Sequence, residues 1–190
     1  MTKVRTESGS DRGISALQYD TMWNDTDTPL ALLITFRCYG TWLHGDERGS
    51  VDRHNNIYGT PRIPKIDHWK NISFERSAHE PVELNALRRG SVEKAIRETC
   101  QKRQWSLLAI NIRTNHVHTV VAIGEKKSEV ALAAFKANAT RQMREDGCWK
   151  FAHSPWAEKG SKRRLWNENS VANAIDYVLN GQGDDLPVFK

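Results

Sequence analysis

Two histidines stand one residue apart in RTNHVHTVVAIG (113–124), at the head of a run of Thr, Val, Val, Ala and Ile. Residues i and i+2 of a strand point to the same face, so His116 and His118 would project side by side while Val117 turns to the opposite, apolar face. Neutral imidazole is a common metal ligand, and two of them at this spacing supply half of a coordination site. The same pattern fits two polar residues on the open face of an antiparallel sheet, and the pair alone does not choose.

A second chemical group lies downstream in VANAIDYVLN (171–180). Val171, Ala174, Ile175, Val178 and Leu179 form a helical apolar stripe. At about 100° per residue, Tyr177 lies roughly 130° from the centre of that stripe. It is not required as core and is placed either as a boundary residue or to present its hydroxyl to a site. A metal-bound pair of histidines, a tyrosine and a basic surface are together the parts of a nucleic-acid nicking site. A divalent ion neutralises charge on a phosphate, and a tyrosine oxygen supplies a nucleophile that forms a covalent intermediate. A phenol, with an ordinary pKa of about 10, needs a neighbour to activate it.

These groups need elements to hold them. The apolar run PLALLITFRCYG (29–40) reads as a buried strand, and the Gly-, Pro- and Asn-rich 41–70 as a long loop. Residues 80–90 read as extended or turn-like. A helix is expected over 91–104 with Ser91 as N-cap and Val92, Ala95, Ile96 and Cys100 inward. Strands follow over 105–112 and from about His116 to Ile123. Ser128 is expected to cap a helix running to about Asp146, with Val130, Ala133, Ala134, Ala137 and Met143 along one side. Residues 147–164 read as loop or short strand. Ser170 opens the last helix, and Gly181 and Gly183 stop it. This order predicts an α+β fold: an antiparallel sheet with helices packed on one face, ferredoxin-like, plus a C-terminal helix carrying the tyrosine. Residues 1–28 read as a flexible polar arm and 29–190 as one catalytic domain.

The 190 residues carry a net charge of +5, which favours an acidic partner such as nucleic acid. The cysteines, Cys38, Cys100 and Cys148, are odd in number and form no CxxC, so they read as reduced thiols. No apolar segment is long enough to span a bilayer, and the N-terminus lacks the apolar stretch of a signal peptide. A cytoplasmic, DNA-associated protein with no membrane contact is the expectation.

NHVHTVV followed by a helix, then LWNENSVANAIDYVLNGQ, resembles the HUH single-tyrosine transposases, the insertion-sequence 200-like group that includes the REP-associated tyrosine transposases. The strand before YGTWLHGDERGSVD and the AFKANATRQM helix are similar to one branch of that family, so the resemblance spans about residues 29–187. It implies that Tyr177 attacks a phosphodiester of single-stranded, hairpin-containing DNA, giving a 5′-phosphotyrosine and a free 3′-hydroxyl. It implies Mg²⁺ or Mn²⁺ on His116 and His118. The family's third ligand is typically Gln or Asn four residues after the tyrosine, and here that position is Gly181. Resemblance to YVL-x-x-Q members favours Gln182, with Asn180 as the alternative. On a continued helix Gln182 would point roughly 140° from Tyr177 and Asn180 about 60°. If neither serves, a non-catalytic, domesticated single-strand-binding module is the other reading.

Lys136 matches a lysine that recurs in the family, where it would hold phosphate or lie solvated. Arg141, Arg144, Lys159, Lys162, Arg163 and Arg164 would track the DNA backbone. Trp42 and His44 are candidates to contact a base. Asp46, Glu47 and Asp52 show no metal-ligand spacing beyond that of a turn. A homodimer would let Tyr177 serve the partner's site, and the sequence leaves cis and trans use open.

Overall fold

The computed structural model describes residues 27–43, 45–46, 64–184 and 186. The proposed arm (but for Asp27 and Thr28), His44, Glu47 and Asp52 lie outside the described residues. In chain order the elements are β1 (Ala31–Cys38), α1 (Asp67–Glu75), α2 (Ala86–Arg103), β2 (Ser106–Ile112), β3 (His116–Ala122), α3 (Ser128–Glu145), β4 (Trp156–Leu165) and α4 (Glu168–Asn180). The strands form one antiparallel sheet in the order β2-β3-β1-β4. Leaving α1 and α4 aside, the order is a ferredoxin-like βαββαβ unit. This is the expected α+β class.

Alternation along β1 divides the two faces. Leu32, Ile34, Phe36 and Cys38 join Val117 and Val121 of β3 in the main core under α2 and α3. Leu32, Ile34 and Phe36 are completely buried or nearly so, and each such burial contributes about 1.5–3 kcal/mol. Ala31 and Leu33 turn the other way. With Ala109, Val120 and Leu165 they meet Ala174 and Val178 of α4 in a second, smaller core. So α2 and α3 cover one face, and α4 covers part of the opposite one.

Several local expectations change. Residues 67–70 are the start of α1, not loop. Helix α2 begins at Ala86 behind Asn85, whose side chain accepts from the Arg88 amide. Ser91 is therefore not a cap; it is buried within the helix and its hydroxyl donates to Asp146 Oδ2 at 2.6 Å. On α3 the inward face runs through Ala131, Ala134, Phe135, Ala139 and Met143, while Val130, Ala133 and Ala137 are exposed. A helix rich in alanine on every side gives no sharp apolar stripe, and the sheet edge beneath it selects the face that carries Phe135. Lys127, not Ser128, holds the N-cap position. Residues 156–165 form a ten-residue edge strand where a loop or short strand was expected. Leu165 and Trp156 anchor its two ends in the two cores.

Candidate functional site

The site lies on the half of the sheet face that α4 leaves open. Cross-strand partners share a face. Thr35 of β1 pairs with His118 of β3, and Arg37 with His116. On the other flank His118 pairs with Asn111 of β2. The polar row Ser161–Thr35–His118–Asn111 thus runs across the face, with Arg37 and His116 in the row beyond it.

The two imidazoles stand edge to face with ring centroids 4.7 Å apart. Each has Nδ1 engaged: His118 Nδ1 lies 2.7 Å from Thr35 Oγ1, and His116 Nδ1 lies 2.6 Å from Asn115 Oδ1. These contacts at Nδ1 fix the orientation of both rings. An outer hydrogen bond that fixes tautomer and ring orientation is the usual partner of a metal-binding histidine. Burial pushes the His118 ring down to about 4, His116 beside it adds to the shift, and a hydrogen bond with the Gln182 side chain works the other way. At neutral pH His118 is therefore uncharged, the form that binds metal.

Helix α4 brings the tyrosine. Asn167 caps it, accepting from the Ser170 amide at 2.8 Å. Val178 and Ala174 fasten it to the sheet, and Asn111 Nδ2 donates to the Val178 carbonyl at 2.9 Å, satisfying an end-of-helix acceptor. Tyr177 consequently lies off the buried stripe, 46% exposed, with its ring centroid 5.4 Å from that of His118.

Gly181 ends the helix, its amide donating to the Tyr177 carbonyl. A Cβ there would meet that carbonyl oxygen at 2.8 Å and the Tyr177 ring at 3.1 Å. The missing side chain is what lets the chain turn back over Tyr177. Gln182 then reaches His118 while its Nε2 donates to the Tyr177 carbonyl at 2.9 Å. Asn180 turns away to Asp176 at 2.7 Å. The structure brings His116, His118, Tyr177 and Gln182 together and leaves Asn180 outside. Among the described residues no three His, Cys, Asp or Glu side chains gather as a metal site. Two imidazole nitrogens and an amide oxygen are nonetheless a donor set that suits Mn²⁺ or Mg²⁺.

The basic residues divide. The Lys136 ammonium is engaged within the fold, donating to the carbonyls of Ala157, Glu158 and Lys159 at 2.7, 3.0 and 3.0 Å. The side chain is half-buried and holds the β4 backbone in place. Arg144 holds the Phe151 and Ala152 carbonyls, Arg141 pairs with Glu145, and Lys162 pairs with Glu129. Lys162 and Arg164 pair with Ile34 and Leu32, on the α3 side of the sheet; Arg163 pairs with Leu33 and shares the face of the histidines. Lys159 is exposed at the bulge that precedes Gly160.

Sequence reasoning missed Thr35, Arg37 and Asn111. Thr35 and Arg37 interrupt an apolar run at i and i+2, the strand signature of a polar face, and reading the run as uniformly buried concealed it. Arg37 donates to the Trp42 carbonyl at 2.9 Å and lies 5.4 Å over its ring, and Trp42 in turn lies 5.3 Å from His116.

Residues 81–173 match the sequence model of the family described as "Transposase IS200 like". The matched segment includes both histidines and ends within α4, before Tyr177. No curated protein matches the chain. Among solved structures, a REP-associated tyrosine transposase bound to a REP hairpin aligns with a TM-score of 0.43 at 9% identity, over 94% of this chain and 70% of that one. A Deinococcus radiodurans R1 protein assigned as a transposase aligns with a TM-score of 0.43 at 11% identity, over 85% and 97%. No helix among the described residues is long and apolar enough to cross a membrane.

Proposed function

From a chain whose residues 81–173 match the IS200-like transposases, we propose a DNA strand transferase that cuts and rejoins single-stranded, hairpin-bearing DNA through a covalent link to Tyr177. The observation that carries this reading is the convergence on His118: His116 at 4.7 Å and Tyr177 at 5.4 Å between centroids, with the Gln182 side chain beside the same ring and donating to the Tyr177 carbonyl.

The tyrosine oxygen attacks the phosphorus of a phosphodiester, and the bond to the 3′ oxygen breaks. The phosphate stays on Tyr177 as a 5′-phosphotyrosine, the phenolic proton is released, and the departing 3′ oxygen takes up a proton. Attack by that hydroxyl, or by one from another strand, reverses the step. One phosphate ester replaces another, so no nucleotide cofactor is needed. His116, His118 and Gln182 would hold Mg²⁺ or Mn²⁺, an ion that withdraws charge from the scissile phosphate when bound. Thr35 and Asn115 hold the rings, Asn111 holds the last turn of α4, and Arg37 beside His116 supplies fixed positive charge to the phosphate.

Labelled hairpin DNA with a single-stranded flank, incubated with Mn²⁺, should give a covalent protein–DNA adduct that Tyr177→Phe abolishes. An undiminished adduct in that variant sinks the assignment. DNA retained by the wild type with no adduct at all points to the non-catalytic binding module instead.

A further inference from the structure

A second group of rings lies where three chain segments meet, and it takes no part in the site above. Tyr39 comes from the end of β1, His79 from the link before α2, and Trp149, Phe151 and His153 from the link between α3 and β4. His79 and His153 stack face to face, 3.7 Å between centroids and 9° between planes. Tyr39 leans on both, at 5.9 and 6.5 Å. Phe151 lies 5.2 Å from His153 and 4.9 Å from Trp149. The indole is the anchor: Trp149 is buried and its Nε1 donates to the His153 carbonyl. The outer rings are not core, since Phe151 is 54% exposed and His79 is exposed as well.

Cations frame the cluster. Arg88 lies 5.3 Å over the Trp149 ring and donates to the Cys148 carbonyl. Arg144 donates to the Phe151 and Ala152 carbonyls, fixing the segment that carries the exposed ring. Lys150, between the two aromatics, is exposed. Flat rings offered at the surface between positive groups suit a ligand with a π-face on an anionic backbone. A nucleobase on a single strand has that form, and base–aromatic stacking accepts any base. A rigid ring held by a buried neighbour also loses little freedom when a base stacks on it.

We propose that Tyr39, His79, Phe151 and His153 form a base-stacking platform for unpaired nucleotides of the bound strand, distinct from the site around His118. The proposal rests on the reading of the protein as a single-strand DNA enzyme, and its occupant is set by charge: the chain carries +5 overall, and Arg88, Arg144 and Lys150 border the rings. A protein partner's apolar side chains would have no use for that border.

The test uses the uncut complex. In Tyr177→Phe protein, anisotropy should show oligothymidylate binding about tenfold more tightly than an abasic phosphate strand of equal length. Phe151→Leu and His79→Ala, both at exposed positions, should each erase most of that preference while leaving abasic affinity unchanged. Phe151→Tyr should retain it. Equal affinity for the two strands, or a preference that survives Phe151→Leu, overturns the platform. The two readings separate cleanly: a Tyr177 adduct without base preference removes the platform alone, and base preference without any adduct removes the nicking reading alone.

Discussion

His118 is the residue on which the site turns, because it is buried, neutral and lies beside His116, Tyr177 and Gln182. Its proton affinity gives a testable pH effect. In the unfolded chain the ring takes up its proton near 6.5, and in the fold only near 4. Above that window the ring is neutral in both states and adds no slope. As pH falls through it, the unfolded state binds more protons, so the folded state loses stability. Metal-free protein should lose up to about 3 kcal/mol from this group between pH 7 and 4. Thermal melts of wild type and His118→Gln across that range should show the steeper decline in the wild type only. At the same scale the sequence left Gln182 and Asn180 open, since a helix continued past Gly181 would have favoured Asn180. The turn at Gly181 reverses that geometry.

At the scale of elements, the edge strand β4 and the clasp that shapes it were the least legible part. Register along β1 shifts between Phe36 and Cys38, whose partners are Gly160 and Trp156, and Lys136 gathers the carbonyls of the β4 residues between them, Ala157, Glu158 and Lys159. Nothing in the basic string EKGSKRR announces a strand, because its pairing with β1 and the anchors Trp156 and Leu165 determine it. Gly160 fits for a steric reason: a Cβ there would stand 2.9 Å from the Thr35 carbonyl oxygen. Lys136→Met should therefore act as a stability mutation, costing about 2–4 kcal/mol by leaving carbonyls without their charged donor. It should leave the salt dependence of DNA affinity unchanged, since the ammonium is held by the β4 carbonyls. A loss of about one unit in that salt slope, with an unchanged melting temperature, would show that Lys136 does serve DNA.

At the scale of the whole molecule, α4 docks on the same chain's sheet through Ala174, Val178 and the Asn111 hydrogen bond, and delivers Tyr177 to that chain's own His118. The geometry favours use of the tyrosine in cis. Mixing Tyr177→Phe with His118→Ala protein should restore no adduct. Recovery in the mixture would mean that the tyrosine serves a partner's site in a dimer.

The HxH spacing on a β-branched strand, and a tyrosine off the apolar stripe of the last helix, were set by local periodicity and could be read directly. So could the succession β1, α2, β2, β3, α3 and α4, because each of those elements carries its own pattern, whereas β4 does not. Tertiary structure decided what periodicity cannot express: which face of the alanine-rich α3 is buried, which basic side chains are already engaged, and which amide reaches the histidines. Those outcomes depend on residues far apart in sequence meeting across a sheet, as Thr35 and Asn111 meet His118. A one-dimensional pattern specifies a residue's face, and only the pairing of strands specifies its neighbours.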